Sequence, residues 1–133
     1  MVLMDLTRIL RHDNHEQQYV LLQERNGPRS FPIVIGRFEA DAIYRRVNDI
    51  KPPRPMTHDL LASVIEQLQA RLEWIVVNKL EHSTFFARLN LTQNGKTVDV
   101  DARPSDAIAL AVRFEVPIYV EEQVLEEVAK GGE

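Results

Sequence analysis

The chain has 133 residues and a mass of 15.3 kDa, the length of one domain. Hydrophobic residues make up 44% and charged residues 27%, which is a globular balance and argues against wholesale disorder. The absence of cysteine excludes a disulfide scaffold, a thiolate zinc site and a cysteine nucleophile. No apolar run approaches the roughly 18 residues that span a bilayer. Met1-Val2-Leu3-Met4-Asp5 lacks the basic start and apolar stretch of a signal peptide. A cytoplasmic protein without membrane contact is expected.

The net charge of −4 is unevenly spread. From Phe114 onward there are six acids and one base, so residues 1–113 carry a net +1. Twelve of the 16 bases are arginine, the better bidentate partner for phosphate or carboxylate. There is no basic block of the kind that marks a nucleic-acid tail.

Alternation of Val2, Met4 and Leu6 with Leu3, Asp5 and Thr7 predicts a strand over 2–11. His12-Asp13-Asn14-His15 is polar turn material. A second strand over 17–24 closes at Asn26-Gly27-Pro28, a hairpin signal. Phe31 to Ile35 forms a third strand, with Pro32 marking an edge or a strand start. Gly36 ends it, and a helix follows from about Arg37 to Asn48. Three prolines within Lys51-Pro52-Pro53-Arg54-Pro55 make a rigid extended connector.

Thr57 is expected to cap a helix over 58–70, on which Leu60, Leu61, Val64, Ile65 and Leu68 form one apolar stripe. Strands follow over 72–80 and 84–91. Asn94-Gly95 is a two-residue hairpin turn leading into a strand over 97–101, with Asp99 and Asp101 on one face and Val98 and Val100 on the other. Pro104 opens a helix to Phe114. Ala107 to Val112 is apolar on nearly every side, so this helix is buried all round or lies in a subunit interface. A strand over 116–120 and an acidic helix over 121–130, stopped by Gly131-Gly132, complete the chain. Strands and helices come in runs, so the expected class is α+β: one domain over 1–133, of mostly antiparallel strands with about four helices.

Two segments share a pattern. Arg54-Pro55-Met56-Thr57-His58-Asp59 and Arg103-Pro104-Ser105-Asp106 each run arginine, proline, hydroxyl residue, acid, then an apolar helix. Each sets an arginine beside free backbone donors at a helix start, an arrangement suited to anions, with Arg54, Arg103, Ser105 and Thr57 as phosphate-binding candidates. The same residues could instead only cap their helices and pair with one another. Asp59, Asp99, Asp101 and Asp106 form a second set. Carboxylates gathered beside arginine can hold a hard divalent cation of the magnesium or manganese type and orient a phosphodiester. His58 stands at a helix start beside an acid, placed for proton transfer. His12, His15 and His82 match no zinc spacing. Glu39 sits in a first turn, where it can serve as a dipole partner.

Several segments resemble the bifunctional nuclease domain family. They are Phe31 to Gly36, Glu39 to Ile43, Pro53 to Leu61, Thr84 to Ala87 and, most distinctively, Asp101 to Ala111. The resemblance covers nearly the whole chain in order. It implies a compact α+β fold and, from some plant members, activity on both DNA and RNA. It carries over no catalytic residues. Gln69-Ala70-Arg71 departs from the family pattern, which commonly has a glycine turn there.

Two readings follow. In the first, the chain is a metal-assisted nuclease: Arg54 and Arg103 clamp phosphate, Asp59, Asp101 and Asp106 hold the cation, and His58 moves a proton. In the second, it is a non-enzymatic oligomeric binding or regulatory module whose Arg–Asp pairs lock helix starts. Nucleic acid is the expected partner of the first, and a homo-oligomer is expected on either. The first requires the two arginine–proline segments to meet in space.

Overall fold

A computed structural model describes residues 1–12 and 17–131. The chain runs β1 (Val2–Leu10), β2 (Gln17–Glu24), β3 (Ser30–Gly36), α1 (Arg37–Val47), α2 (Thr57–Gln67), β4 (Ala70–Glu81), β5 (Thr84–Gln93), β6 (Lys96–Ala102), α3 (Pro104–Phe114), β7 (Ile118–Val120) and α4 (Glu122–Ala129). The expected turn at His12–His15 lies largely outside the described residues, as does Gly132. Among the described residues, no helix is long and apolar enough to cross a membrane.

Seven strands form one sheet in the order β3-β2-β1-β7-β4-β5-β6. β1, β2 and β3 make one antiparallel meander, and β4, β5 and β6 make another. β7 joins the two. It pairs antiparallel with β1, Val2 opposite Val120, and parallel with β4, Ile75 opposite Ile118. The parallel pairing follows from the crossover through α3, the kind of connection parallel strands require. The fold is α+β with a mostly antiparallel sheet.

The sheet curls. The Phe31 ring on β3 stacks on the Phe85 ring on β5, with centroids 5.6 Å apart, although four strands separate them in sheet order. α3 fills the space so enclosed and packs on α1, α2, β3, β4 and β5. Seven of its residues are buried, Pro104, Ser105 and Ala107 to Ala111. Its apolar surface is therefore covered within the chain, which decides between the two alternatives for this helix and withdraws it as a reason to expect a subunit interface.

Turn chemistry sets the hairpins. Asn94 and Gly95 both take positive φ, 52° and 78°, as a primed two-residue turn requires. His82 and Ser83 do the same between β4 and β5, which commits His82 to an exposed turn. Pro32 sits on β3, an edge strand, where its missing N–H costs no ladder bond.

One expectation is corrected. Met56, not Thr57, holds the cap position of α2, and Thr57 is its first helical residue. The cap is supplied from within the helix, because Asp59 Oδ2 accepts the Met56 N–H at 2.9 Å. The α2 stripe is only partly covered. Ala62 and Ile65 are buried against α3 and β4, while Leu60, Leu61, Val64 and Leu68 remain 39–62% exposed. A small alanine on the contact line lets α2 lie close, which rotates the larger residues outward. The helix ends at Gln67 because Gln69 takes a left-handed φ of 60° and starts β4 at once. The acidic α4 is no free tail, since Val124 and Leu125 are buried in the core.

Candidate active site

The two arginine–proline segments meet. His58, in the first turn of α2, places Nε2 2.8 Å from Oδ1 of Asp106 in the first turn of α3. The other Asp106 oxygen, Oδ2, accepts from Arg103 Nε at 3.0 Å, and Arg103 Nη2 lies 2.8 Å from it. Arg103 Nη2 also donates to Glu39 Oε2 of α1 at 3.0 Å. The result is a linear chain, Glu39–Arg103–Asp106–His58, tying three helix starts together. Hydrogen bonds to Asp106 and then Glu39 hold the Arg103 guanidinium pKa above its ordinary value. Glu39 reaches Arg103 by folding back over Gly36, where an added Cβ would lie 2.2 Å from Glu39 Oε1. Gly36 is needed for this close approach, not for an unusual φ.

His58 is half-buried and lines a cavity of about 440 Å³ between α1, the proline connector and the start of α2. Five cationic side chains line it: Arg45, Arg46, Lys51, Arg54 and Arg113. Among the described residues, Asp59 is the one carboxylate in its wall. Asp59 Oδ1 lies 3.4 Å from Arg113 Nε. Arg45, Arg46, Lys51 and Arg54 have no acidic partner among the described residues. Most bases elsewhere are paired, among them Arg11 with Asp41, Arg25 with Asp5 and Arg71 with Glu73. Unpaired positive charge is thus concentrated at this cavity.

A second cavity of about 480 Å³ lies on the far side of Arg103, bounded by β3, the β4–β5 turn and Ser105. Ser105 is buried and faces this cavity, and Thr57 is exposed. Of the phosphate-binding candidates, Arg54 is free in the first cavity, while Arg103 is spent on two carboxylates.

The acids Asp59, Asp101 and Asp106 are not brought together. Asp101 sits opposite Arg88, and Asp99 opposite Asn90, on the sheet face away from α3. Val98 and Val100 take the helix-facing side, opposite Leu91 and Leu89, because side chains alternate along a strand. Among the described residues, no three of histidine, cysteine, aspartate and glutamate form a group able to hold a metal. Both Asp106 oxygens are engaged by His58 and Arg103, and both Asp59 oxygens by Met56 N–H and Arg113. This donor set does not fit a carboxylate-held magnesium or manganese ion.

Arg45, Arg46, Lys51 and Arg113 are not among the residues singled out in the sequence. The available signal was four cations within ten residues, Arg45, Arg46, Lys51 and Arg54, against the single acid Asp49.

A helix start carrying an acid-held histidine beside a cluster of unpaired cations is a geometry suited to phosphate chemistry. Comparison with known proteins gives the family. The bifunctional nuclease domain matches residues 20–131, and the chain belongs to that family. It is 46% identical over 109 residues to an uncharacterised protein of Mycobacterium tuberculosis, covering 82% of this chain and 65% of that protein. It is 28% identical over 104 residues to bifunctional nuclease 1 of Arabidopsis thaliana, covering 76% of this chain and 32% of the plant protein. For bifunctional nuclease 1 of Oryza sativa subsp. japonica the values are 25% over 118 residues, 86% and 36%. The chain thus spans about two-thirds of the mycobacterial relative and about a third of the plant proteins.

Proposed function

We propose that this domain hydrolyses phosphodiester bonds in DNA or RNA, with His58 as the proton-transfer group and the cationic cavity as the phosphate site. The observation that carries the reading is the His58 ring, held at 2.8 Å by Asp106, in the wall of a cavity with five cations. Family membership and the names of the plant relatives support it.

This reading gives each group a role. An ionised Asp106 accepts the Nε2–H of His58, which leaves Nδ1 as the basic nitrogen. Nδ1 takes a proton from a water as the water oxygen attacks phosphorus. The P–O bond to the leaving oxygen breaks, and that oxygen is protonated from solvent. The cations of the cavity wall anchor the strand's phosphate charge beside His58. Arg103 is a positioning residue: it fixes Asp106, and Glu39 fixes it.

The test is cleavage of single- and double-stranded DNA and RNA by purified wild type and His58→Ala, each checked by thermal melting. Loss of cleavage in a folded His58→Ala protein is expected. Equal cleavage by both proteins would refute the role of His58.

One observation favours the binding-module reading. Arg103 is neutralised by Glu39 and Asp106, as a structural lock on helix starts would be. That reading predicts nucleic-acid binding without cleavage. On either reading we propose self-association through the exposed apolar residues of α2. Sedimentation at micromolar concentration should show a species heavier than 15.3 kDa, and a lone 15.3 kDa species would refute it.

A further inference from the structure

We infer that the cationic cavity is a receptor for a phosphomonoester, the phosphorylated end of a strand or a mononucleotide, and not a passage for internal phosphodiester backbone. For strand ends the inference rests on the nuclease reading. For mononucleotides it stands alone.

The positive charge here is gathered and not spread. Proteins that track a nucleic-acid backbone spread cations along a groove, and specific interfaces bury about 1,000–2,500 Å². Here four cations without acidic partners converge on one cavity of about 440 Å³, near the lower end of the roughly 300–1,000 Å³ found for small-ligand sites. The space suits about one nucleotide. With Arg113 against Asp59, the wall carries five positive charges and one negative. Asp49 is the nearest further acid in sequence, and it lines an adjoining cavity with Arg46.

An internal phosphodiester brings one negative charge. A monoester brings about 1.5 to 2 at pH 7 and three terminal oxygens for hydrogen bonds. A small cavity with an excess of four positive charges is matched better by the monoester. The rigid proline connector supports this. Lys51 and Arg54 flank Pro52 and Pro53, so their backbone is held extended before any ligand arrives, and less ordering is needed on binding. His58 lies in the same wall, so a phosphorylated end seated on the cations would bring the strand to the residue proposed for proton transfer.

The experiment measures binding by wild-type protein at 150 mM salt, where exposed long-range attraction is screened. The probes are phosphorothioate-backbone oligonucleotides of one sequence carrying a 5′-phosphate, a 3′-phosphate or hydroxyl ends, a circular form of the same strand, and nucleoside monophosphates beside nucleosides. At least tenfold tighter binding of a phosphorylated end than of the hydroxyl-ended or circular strand is expected. That preference should vanish in Lys51→Ala/Arg54→Ala, whose replaced side chains are exposed. Comparable affinity for the phosphorylated strand and for the mononucleotide identifies the mononucleotide as sufficient ligand, and much tighter strand binding identifies the strand end. Equal affinity for all strands, and for nucleoside and nucleotide, would overturn the inference. A parallel cleavage assay on ordinary circular and linear strands separates the two claims. Discrimination without cleavage keeps the phosphomonoester site and removes the nuclease reading. Cleavage of circles as fast as phosphorylated linear strands keeps the nuclease and removes the end site.

Discussion

Asp106→Asn isolates the chemistry from the fold. The amide keeps the shape of the carboxylate but can donate a hydrogen bond to His58 Nε2, which puts the ring proton on Nδ1 and removes the base. The bond at stake is the 2.8 Å contact between Nε2 and Oδ1. If His58 transfers the proton, cleavage should fall by about 10²–10⁴, corresponding to ~3–5.5 kcal/mol of transition-state stabilisation, with the upper end taken from the Ser-His-Asp triad. The structural cost should be far smaller. Asp106 is 29% exposed and Arg103 is 66% exposed, so solvent screens their pair and its loss is worth about 1 kcal/mol or less. Arg103 also keeps Glu39. Initial cleavage rates and thermal melts on the same preparations measure the two quantities. His58→Ala and the double variant complete the cycle. Because the two residues act as one unit, the double variant should be no slower than His58→Ala. Unchanged cleavage in a folded Asp106→Asn protein, or fully additive losses, would refute the dyad.

Three further outcomes are expected. Asp101→Asn should change cleavage by less than about threefold and leave melting unaltered, because Asp101 faces away from α3 and makes no ion pair or side-chain hydrogen bond among the described residues; a loss of the order of 10² would instead require the carboxylate cluster. Gln69→Gly should raise stability by about 0.5–1 kcal/mol, since φ of 60° strains a side-chain-bearing residue more than it strains glycine, and a lower unfolding midpoint in urea would contradict this. Hydrogen bonds from Arg29 hold Glu24 and Glu122 below the ordinary carboxylate pKa of 4.5. Their folded values are depressed, so this stabilisation is complete above about 4.5 and is lost as pH falls through the lowered values; Arg29→Met should flatten that acid limb of a pH–stability curve, and an unchanged limb would count against the triad.

Much of the fold was legible because local rules and tertiary packing agree. Pro104 and Phe114 bound α3 as expected, since proline favours a first helical position and Glu115 turns left-handed at φ 56°. Asn94-Gly95 fixed its hairpin, and Pro32 marked the β3 edge. The facing of α2 was not legible. Its sequence offers two apolar lines, and only the choice of α3 and β4 as neighbours selects Ala62 and Ile65 over Leu60 and Val64.

The site was half legible. His58 and Asp106 could be named from shared motifs, but 48 residues separate them, and the curl of the sheet around α3 brings them together. Arg103 looked free because its second partner, Glu39, lies 64 residues away. Asp101 looked like a member of the acid cluster because it is close in sequence, yet strand alternation turns it to the other face. The cationic cavity depends on α1, the connector, α2 and α3 together, so no single segment displays it.

The most direct measurement is the initial rate of oligonucleotide cleavage by wild type and His58→Ala proteins purified in parallel, with identical melting profiles required of both. The account predicts cleavage by the wild type and a loss of at least a hundredfold, about 2.7 kcal/mol, in the variant. Equal rates, or no cleavage of any DNA or RNA by a folded wild type, would contradict it.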